Sequence, residues 1–420
     1  MAMIILAVAI LLLLMLRLPV AFAILGPSVA YLILTGQSVE LGLRTAINGI
    51  NSWPMLAIPL FVLLGVIANH AGIAERLFDF AMALLGPIKG GLAYVNIGTS
   101  VGFSWMSGSA LADAAGLGSV QVPEMRKRGY PDRFSVGLTG AASLISPVMP
   151  PSIPAVVYAS VAAVSTGALF AASVIPAFLV ALGLVIYVYI WSRRQNFLKT
   201  YPLRWAEIRR TGRRAIAPLL TPVIVIGGIL GGFFTPTEAA AVGCVYMLVL
   251  GFTFRSLRLS TLGKVVGNAA ATSAAIMLII GSASLLGWIL AREQVPASIA
   301  EWMTGLTNGP TSFLFLTVAL LIVLGAIMEP TSALVLSVPI LLPVAVSFGV
   351  DPIHFGVITV MTLMIGLLTP PVGPVGFVLS SVTGIPPREV FRSFLPFMVP
   401  LILVVSLIVL FPALIWAPGI

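Results

Sequence analysis

Long apolar runs separated by short polar stretches dominate this 420-residue sequence and constrain its fold more than any other feature. Only 8% of the residues are charged, whereas about 25% is usual for a soluble domain. A helix needs about 20 apolar residues to cross the hydrocarbon core of a bilayer, so the chain has room for about a dozen membrane segments. This composition excludes a soluble enzyme, a disordered protein and a nucleic-acid binder.

The first apolar run, Met1–Leu16, has the length of a signal peptide but not its charge order. A cleavable signal carries positive charge before the apolar run, whereas the first basic residue here, Arg17, follows it. This order predicts a membrane helix that stays in the protein, with its N-terminus outside.

Basic residues predict the orientation of the chain. Residues 193–214 hold eight Lys and Arg but one acid, and a second basic cluster lies within residues 126–133. Such clusters are typical of cytoplasmic loops. Extending this assignment along the chain leaves only Arg44 and Arg292, of the 22 basic residues, outside. Both termini are then predicted to be periplasmic.

Two short apolar runs lie between cytoplasmic basic residues. Gly91–Met106 and Ala110–Val122 are joined only by Ser107-Gly108-Ser109, and both are short for a membrane crossing. We therefore predict a re-entrant hairpin over residues 91–122 that enters from the cytoplasmic side.

The two halves of the chain repeat one pattern. Pro150–Pro154 matches Pro370–Pro374, and Leu63–Ile67 matches Leu285–Ile289, at nearly the same spacing. A third match aligns Pro19, Ala23 and Gly26 with Pro236, Ala240 and Gly243.

Each half is predicted to have an odd number of crossings, so the two halves should have opposite orientations. The predicted fold is an all-α polytopic membrane protein with two inverted-topology repeats, as is typical of secondary transporters. The predicted ranges are a first repeat over 1–192, a basic cytoplasmic connector over 193–214, a second repeat over 215–420, a second hairpin over 312–348, and broken helices over 134–162 and 355–383.

Two proline-containing stretches and two hairpin tips are predicted to be non-helical at membrane depth. The stretches are Ser146–Pro151 and Gly366–Pro371, and the tips are Ser104–Ser109 and Glu329–Ser332. Proline frees backbone carbonyl groups, which persist in a membrane only where they are buried or line a cavity. Such oxygens suit Na⁺, and helix N-termini favour a carboxylate. The alternative is a proline kink in which Ser and Thr bond back to the backbone.

Three acids lie within the apolar segments, where acids are functional candidates. Glu238 follows Thr235 at the spacing of a capping box, which predicts a structural role. Asp113 follows the first tip, where capping or bracing the tip and direct ligation are both open. Glu329 lies at the second tip, where binding an ion, carrying a proton and locking the tip are all open.

The sequence argues against an enzyme. A serine protease needs a histidine near its serine, but His70 is predicted inside and His354 outside, both far in depth from Ser107. An aspartyl protease needs two membrane aspartates, and we predict only Asp113. The glycines form no phosphate-binding pattern.

Four motifs resemble the large membrane subunit of tripartite ATP-independent periplasmic (TRAP) transporters, and the resemblance runs the full length of the chain. The sequence departs from the family at Ser146, where glycine is usual. The motifs are SGSALADA (Ser107–Ala114), SLISPVMPPSIP (Ser143–Pro154), TPTEAAAVG (Thr235–Gly243) and GLLTPPVGPVGFV (Gly366–Val378).

The resemblance implies an elevator-type carrier of the bacterial inner membrane, with a scaffold and a moving transport domain. It implies coupling to Na⁺, with two or more ions, and transport of an organic acid such as a sialic acid or a C4-dicarboxylate. It also implies a small four-helix membrane subunit, expected as a separate chain, and a periplasmic substrate-binding protein.

Carried over by motif, the resemblance also implies site residues. The implied Na⁺ ligands are Ser107, Ser109, Ser146, Met149 and Pro151 at one site, and Thr331, Ser332, Gly366, Thr369 and Pro371 at the other. The implied substrate-binding residues are Ser107, Gly108, Ser109, Asp113, Glu329, Pro330 and Gly373. Two alternatives stay open: a stand-alone Na⁺- or H⁺-coupled anion carrier of the same architecture, and a membrane assembly subunit that transports nothing.

Overall fold

The computed structural model describes residues 2–16, 18–195, 202–307, 309–370 and 373–415. All regular secondary structure in these ranges is helical, which confirms the predicted all-α class.

Ten α-helices form the first half of the described chain. They are α1 (Ala2–Met15), α2 (Val20–Leu34), α3 (Val39–Ile50), α4 (Ala57–His70), α5 (Ile73–Leu85), α6 (Gly91–Ser107), α7 (Ala110–Lys127), α8 (Asp132–Ser143), α9 (Ile153–Val161) and α10 (Thr166–Arg193).

Nine α-helices form the second half of the described chain. They are α11 (Trp205–Leu230), α12 (Pro236–Thr253), α13 (Leu259–Arg292), α14 (Val295–Leu306), α15 (Pro310–Ile327), α16 (Pro330–Ser347), α17 (Pro352–Gly366), α18 (Pro374–Thr383) and α19 (Pro387–Leu410). Short 3₁₀ turns lie at Trp53–Leu56 and Pro412–Leu414.

Seven of the described helices are long and apolar enough to cross a bilayer. The bent pair α4 and α5, with 64° between the two helices, brings the number to eight if the pair is one span. The seven are α10, α11, α12, α13, α15, α16 and α19.

The two halves contain the same order of elements. Two helices joined by a short tip (α6 and α7, or α15 and α16) come first. A broken helix (α8 and α9, or α17 and α18) and a long helix (α10 or α19) follow. The range 193–214, predicted as a connector, extends into helix, because its last ten residues form the start of α11. The opposite orientation of the halves stays a prediction.

One difference between the halves follows from proline. In the first half, α3 and α4 are separated by a 3₁₀ turn that contains Pro54. The corresponding part of the second half has no proline and forms the single 34-residue helix α13. Proline lacks the backbone N–H that would continue a helix, so its presence in only one half explains the difference.

The TPTE motif caps α12 as predicted. The Thr235 hydroxyl accepts a hydrogen bond from the Glu238 backbone N–H, and the Glu238 carboxylate accepts one from the Thr235 backbone N–H. This capping box confirms a structural role for Glu238 and explains why an acid is tolerated at this helix start.

The broken helices exchange partners between the halves. α9, from the first half, packs against α16, and α18, from the second half, packs against α7. α8 likewise packs against α19, and α10 against α17. Tyr158 on α9 is fully buried and donates a 2.6 Å hydrogen bond to the Pro352 carbonyl at the start of α17. Neither half can therefore form its central contacts alone.

We expect Tyr158→Phe to lower the stability of the purified protein by about 1–3 kcal/mol, because it leaves the Pro352 carbonyl without its donor. Tyr246→Phe is the matched control: the half-buried Tyr246 also donates to a backbone carbonyl, that of Ala217. Thermal unfolding in detergent should give a larger loss for Tyr158→Phe. Equal losses of stability would mean that the hydrogen bond between the two halves stabilises the protein no more than a hydrogen bond within one half.

Candidate functional site

A cavity of about 430 Å³ lies where both hairpin tips meet both broken helices. The first tip contributes Gly108 to Leu111, and the second contributes Glu329 to Ser332. The two breaks contribute Pro147, Ile153, Pro154, Met364 and Leu367, and the remaining wall consists of Val20 on α2 and Thr272, Ala275, Ile276 and Ile279 on α13.

The first tip needs glycine at position 108. Gly108 has φ +60°, a left-handed conformation that other residues adopt at a free-energy penalty. A Cβ atom here would also lie 2.9 Å from the Pro151 carbonyl oxygen. The tip therefore contacts the backbone of the first break directly. Ser109 follows as the N-cap of α7, and its hydroxyl accepts a hydrogen bond from the Ala112 N–H.

Helix α4 contacts the same tip from another side. A Cβ atom at Gly65 would lie 2.7 Å from the Ser107 carbonyl oxygen, so only glycine allows this approach. Gly65 belongs to the Leu63–Ile67 segment of the internal repeat. The internal repeat identified this segment, but nothing in the sequence indicated that Gly65 contacts the first tip.

Asp113 lies just behind the first tip and is fully buried. The hydroxyls of Ser107 and Ser146 lie next to its carboxyl group. Among the described residues, however, no hydrogen bond of normal length reaches either carboxylate oxygen, and the buried Ser146 hydroxyl also has no partner. The capping alternative for Asp113 is not realised, since Ser109 caps α7. A buried polar group without a partner is costly and needs an explanation.

Glu329 at the second tip, by contrast, is exposed to the cavity, and both of its carboxylate oxygens have partners. Its Oε1 atom accepts a 2.9 Å hydrogen bond from the Thr331 hydroxyl, and its Oε2 atom accepts one of 3.1 Å from the Ser332 N–H. Glu329 is thus the N-cap of α16. Of the three roles left open for it, the locking of the tip is the one that its hydrogen bonds perform.

The backbone of the second break is tightly packed against α15 and against itself. Gly366 lies against Gly325 of α15, where a Cβ atom would come within 2.4 Å of the Gly325 carbonyl carbon. The Thr369 hydroxyl donates to the Ile365 carbonyl at 3.2 Å, which is the back-bonding described by the kink alternative. Gly373 lies close to the carbonyl oxygen of Thr369. The predicted ligand Pro371 lies outside the described residues.

The predicted residues separate into three groups. One group lines the cavity, namely Gly108, Ser109, Glu329, Pro330, Thr331 and Ser332. A second group lies behind the first tip or in the first break, namely Ser107, Asp113, Ser146, Met149 and Pro151. A third group lies in the second break but does not line the cavity, namely Gly366, Thr369 and Gly373. Their roles as ligands stay predictions.

Sequence reasoning missed the α13 wall of the cavity. Thr272, Ala275, Ile276 and Ile279 belong to an apolar run without proline or charge. Nothing in their residue types distinguishes them from any other membrane helix.

The electrostatics of the cavity depend on helix ends. No Lys or Arg is among the described residues that line it, and Glu329 is the acid there. Three helices, α7, α9 and α16, begin at the cavity wall. Helix N-termini carry partial positive charge and unpaired N–H groups. The cavity can therefore attract a carboxylate without a basic side chain, although the Glu329 carboxylate already occupies the N-terminus of α16.

A larger cavity, of about 600 Å³, lies beside Asp351 and His354. Asp351 accepts hydrogen bonds from the Ile353 and His354 N–H groups, and the His354 ring lies 2.8 Å from the Ile408 carbonyl oxygen. Asp351 thus caps α17, and His354 connects α17 to α19.

Comparisons with known proteins agree on one family. A family model described as "Tripartite ATP-independent periplasmic transporter, DctM component" matches residues 7–414. The sialic acid TRAP transporter large permease protein of Vibrio cholerae is 42% identical over 396 residues, which cover 94% of this chain and 93% of that protein. The C4-dicarboxylate TRAP transporter large permease protein of Pseudomonas aeruginosa is 39% identical over 362 residues, with coverage of 86% and 85%.

A solved structure shares the fold. The YdaH transporter of Alcanivorax borkumensis superposes with a TM-score of 0.62, over 88% of this chain and 87% of that one, at 15% sequence identity.

We expect Gly108→Ala to destabilise the protein more than Gly384→Ala. Both glycines have positive φ, but a Cβ atom meets nothing within 4 Å at Gly384 and lies 2.9 Å from the Pro151 oxygen at Gly108. Both variants lose about 1–2 kcal/mol from the left-handed backbone, and Gly108→Ala loses about 1–3 kcal/mol more from overpacking. Thermal unfolding measures the difference. Equal shifts would mean that the tip does not press on the first break.

Proposed function

Because the chain belongs to the DctM-component family of tripartite ATP-independent periplasmic transporters, we propose that it is the large permease subunit of a Na⁺-coupled importer of an organic acid. The substrate class follows the names of its relatives, which include a sialic acid permease and a C4-dicarboxylate permease. A periplasmic binding protein delivers the substrate, and a separate small membrane subunit completes the transporter. The observation that carries this proposal is the cavity enclosed by both hairpin tips and both broken helices.

The substrate carboxylate binds at the N-termini of α7 and α9, beside Gly108 and Ser109. The caps of these two helices are the neutral residues Ser109 and Ser152. α9 has no acid in its first turn, and the charge of Asp113 in the first turn of α7 is balanced by the Na⁺ ion proposed below. The rest of the substrate faces Pro330 and the α13 wall. With about 430 Å³, the cavity has the size of a small-molecule site.

The first Na⁺ site is formed around Asp113. A buried, unpartnered carboxylate beside the hydroxyls of Ser107 and Ser146 offers the hard oxygen ligands that Na⁺ requires, so the residues fit the ion. Backbone carbonyls of the first tip and the first break complete the ligand set. When bound, the ion supplies positive charge close to the substrate carboxylate. Ser107 and Ser109 lie between the two, so ion binding organises the tip for the substrate.

The second Na⁺ site is formed at the second tip and the second break. Thr331 and Ser332 supply hydroxyls at the tip, and the second break supplies carbonyl oxygens near Gly373. Glu329 is the acid at this site. Its carboxylate accepts hydrogen bonds from the Thr331 and Ser332 hydroxyls and so acts on the ion through these two side chains.

Transport proceeds as an elevator in which the hairpins and broken helices move as one unit. Support comes from the packing of α7 on α18 and of α9 on α16, which joins these elements across both halves. The fixed scaffold includes α4 and α13. Gly65 and the α13 wall then form the surface along which the first tip moves.

We expect Na⁺ to stabilise the wild-type protein against heat and K⁺ at the same ionic strength to have no such effect. A ligand that binds only the folded state adds about 2.7 kcal/mol at one hundred times its dissociation constant. Asp113→Asn should lose the part of this stabilisation that the first site supplies, and Ser146→Ala should weaken that part.

Asp351→Asn is the matched control, because it removes the same charge from the N-cap of α17, away from the cavity. It should keep the Na⁺ effect. An unchanged Na⁺ effect in Asp113→Asn would refute the first site, and identical Na⁺ and K⁺ curves in the wild type would refute Na⁺ coupling.

Reconstitution tests the partners. Proteoliposomes that contain this chain and its small subunit should take up sialic acid or a C4-dicarboxylate only when the binding protein and an inward Na⁺ gradient are both present. Uptake of substrate by this chain alone would instead establish the stand-alone carrier.

A further inference from the structure

We propose that the interior of the first hairpin binds water molecules that lead from the predicted cytoplasmic side to Asp113. The hairpin consists of α6 and α7, and α8 packs against both helices. The proposal rests on the proposed function, because these water molecules would hydrate the Na⁺ ion of the first site as it leaves toward the cytoplasm.

Two buried amide side chains lie where the three helices meet. Asn96 on α6 donates a 2.7 Å hydrogen bond to the Thr139 hydroxyl on α8, and its Nδ2 atom lies 3.8 Å from the sulfur of Met125 on α7. Gln121 lies one helical turn before Met125, on the same buried side of α7. Asn96 is 0% exposed and Gln121 is 1% exposed.

The protein leaves these amides largely unpaired. Within the described ranges, neither Oε1 nor Nε2 of Gln121 has a hydrogen-bond partner, and neither does Oδ1 of Asn96. Buried polar groups of this kind are usually paired with ordered water. Gln121 needs both a donor and an acceptor as partners, which water supplies and a bare ion does not. Water is therefore the ligand that fits this cluster.

Hydroxyl groups continue from the two amides to Asp113. They follow Asn96 along α6, and Thr139 along α8 into the first break, at intervals of three or four residues, which places each series on one side of its helix. Both series end beside the Asp113 carboxyl group. The hydroxyl residues, all of them buried, are Ser100, Ser104 and Ser107 after Asn96, and Ser143 and Ser146 after Thr139.

The second half provides a comparison, because its elements follow those of the first at a constant spacing. α7 begins at Ala110 and α16 begins at Pro330, a spacing of 220 residues. Thr139 and Thr359 have the same spacing, and each donates to the carbonyl four residues earlier in its helix.

At this spacing the second half has apolar residues instead of the polar groups. Leu316 and Leu341 correspond to Asn96 and Gln121, and Ala333 corresponds to Asp113. A hairpin that packs against a broken helix therefore does not need a polar interior, so the polar groups of the first half serve something other than the fold. The serines at 100, 104 and 143 correspond to leucines as well, namely Leu320, Leu324 and Leu363.

The position of the amides suits a path for an ion. Asn96 lies in the first two turns of α6 and Gln121 in the last two turns of α7, at the hairpin ends that are predicted to be cytoplasmic. Asp113 lies about 12 Å farther along α7. Polar residues inside membrane segments are typical of ion pathways. Neutral oxygen atoms can replace part of the water around an ion and still release it.

The test for bound water is X-ray footprinting of the purified full-length chain in detergent, with methionine oxidation measured by mass spectrometry. X-rays convert bound water to hydroxyl radicals, which oxidise susceptible side chains beside it even when these are buried. Met125 is the reporter in the cluster, and Met247 on α12 is the matched control, since both are 0% exposed. We expect Met125 to be oxidised several-fold faster than Met247.

The double variant Asn96→Leu with Gln121→Leu introduces the residues of the second half. It should fold, because apolar side chains of similar size replace unpaired polar ones. Its Met125 should be oxidised no faster than Met247. Stabilisation by Na⁺ should stay at the wild-type level, since Asp113 is intact. Uptake of substrate into proteoliposomes with the small subunit and the binding protein should become several-fold slower, because the ion leaves more slowly.

The outcomes separate this proposal from the function on which it rests. Equal oxidation of Met125 and Met247 in the wild type would overturn the water site. Uptake by the double variant at the wild-type rate, or loss of its Na⁺ stabilisation, would overturn the role in ion release. A wild type without Na⁺ stabilisation would refute the first Na⁺ site and the exit with it, whereas fast oxidation of Met125 in the same protein would still establish bound water.

Discussion

Every backbone polar group inside a bilayer must find a partner within the protein, and the architecture around the cavity depends on how this is achieved at the two helix breaks. In the first break, the Ser152 hydroxyl donates to the Pro147 carbonyl and accepts from the Ala155 N–H. In the second, the Thr369 hydroxyl donates to its own helix and the Gly373 N–H donates to the Thr369 carbonyl. Few donors remain for the other carbonyl groups, so the breaks must be buried against the tips and against the opposite half.

The two tips use their carboxylates in different ways. Glu329 saturates its oxygens with the first turn of its own helix, which makes the second tip complete as it stands. Asp113, in contrast, is fully buried and has no such bonds. Halves that share an order of elements therefore differ in the electrostatics of their tips, because only the first tip has a carboxylate without hydrogen-bond partners among the described residues.

Much of this arrangement could be predicted from the sequence, because it follows from residue types with strong local effects. Proline pairs predicted the breaks, Ser107-Gly108-Ser109 predicted a tip, and the Thr235–Glu238 spacing predicted a capping box. The α13 wall and the Gly65 contact could not be predicted in this way. They depend on which helices become neighbours, and an apolar helix residue carries no information about its neighbour. The sequence also left the role of Glu329 open, because only side-chain geometry distinguishes a cap from a ligand.

The exchange of partners between the halves has a consequence for how the protein is made. α7 ends at Lys127, but α18, which covers it, begins at Pro374. At about 5–20 residues per second, the ribosome needs some tens of seconds to make the chain between them. During that time α18 does not cover α7. For most of it, the cavity also lacks the residues that the second tip and the second break contribute. The cavity is thus assembled last, so a chain truncated before α15 contains the first tip and the first break without the cavity that they help to form.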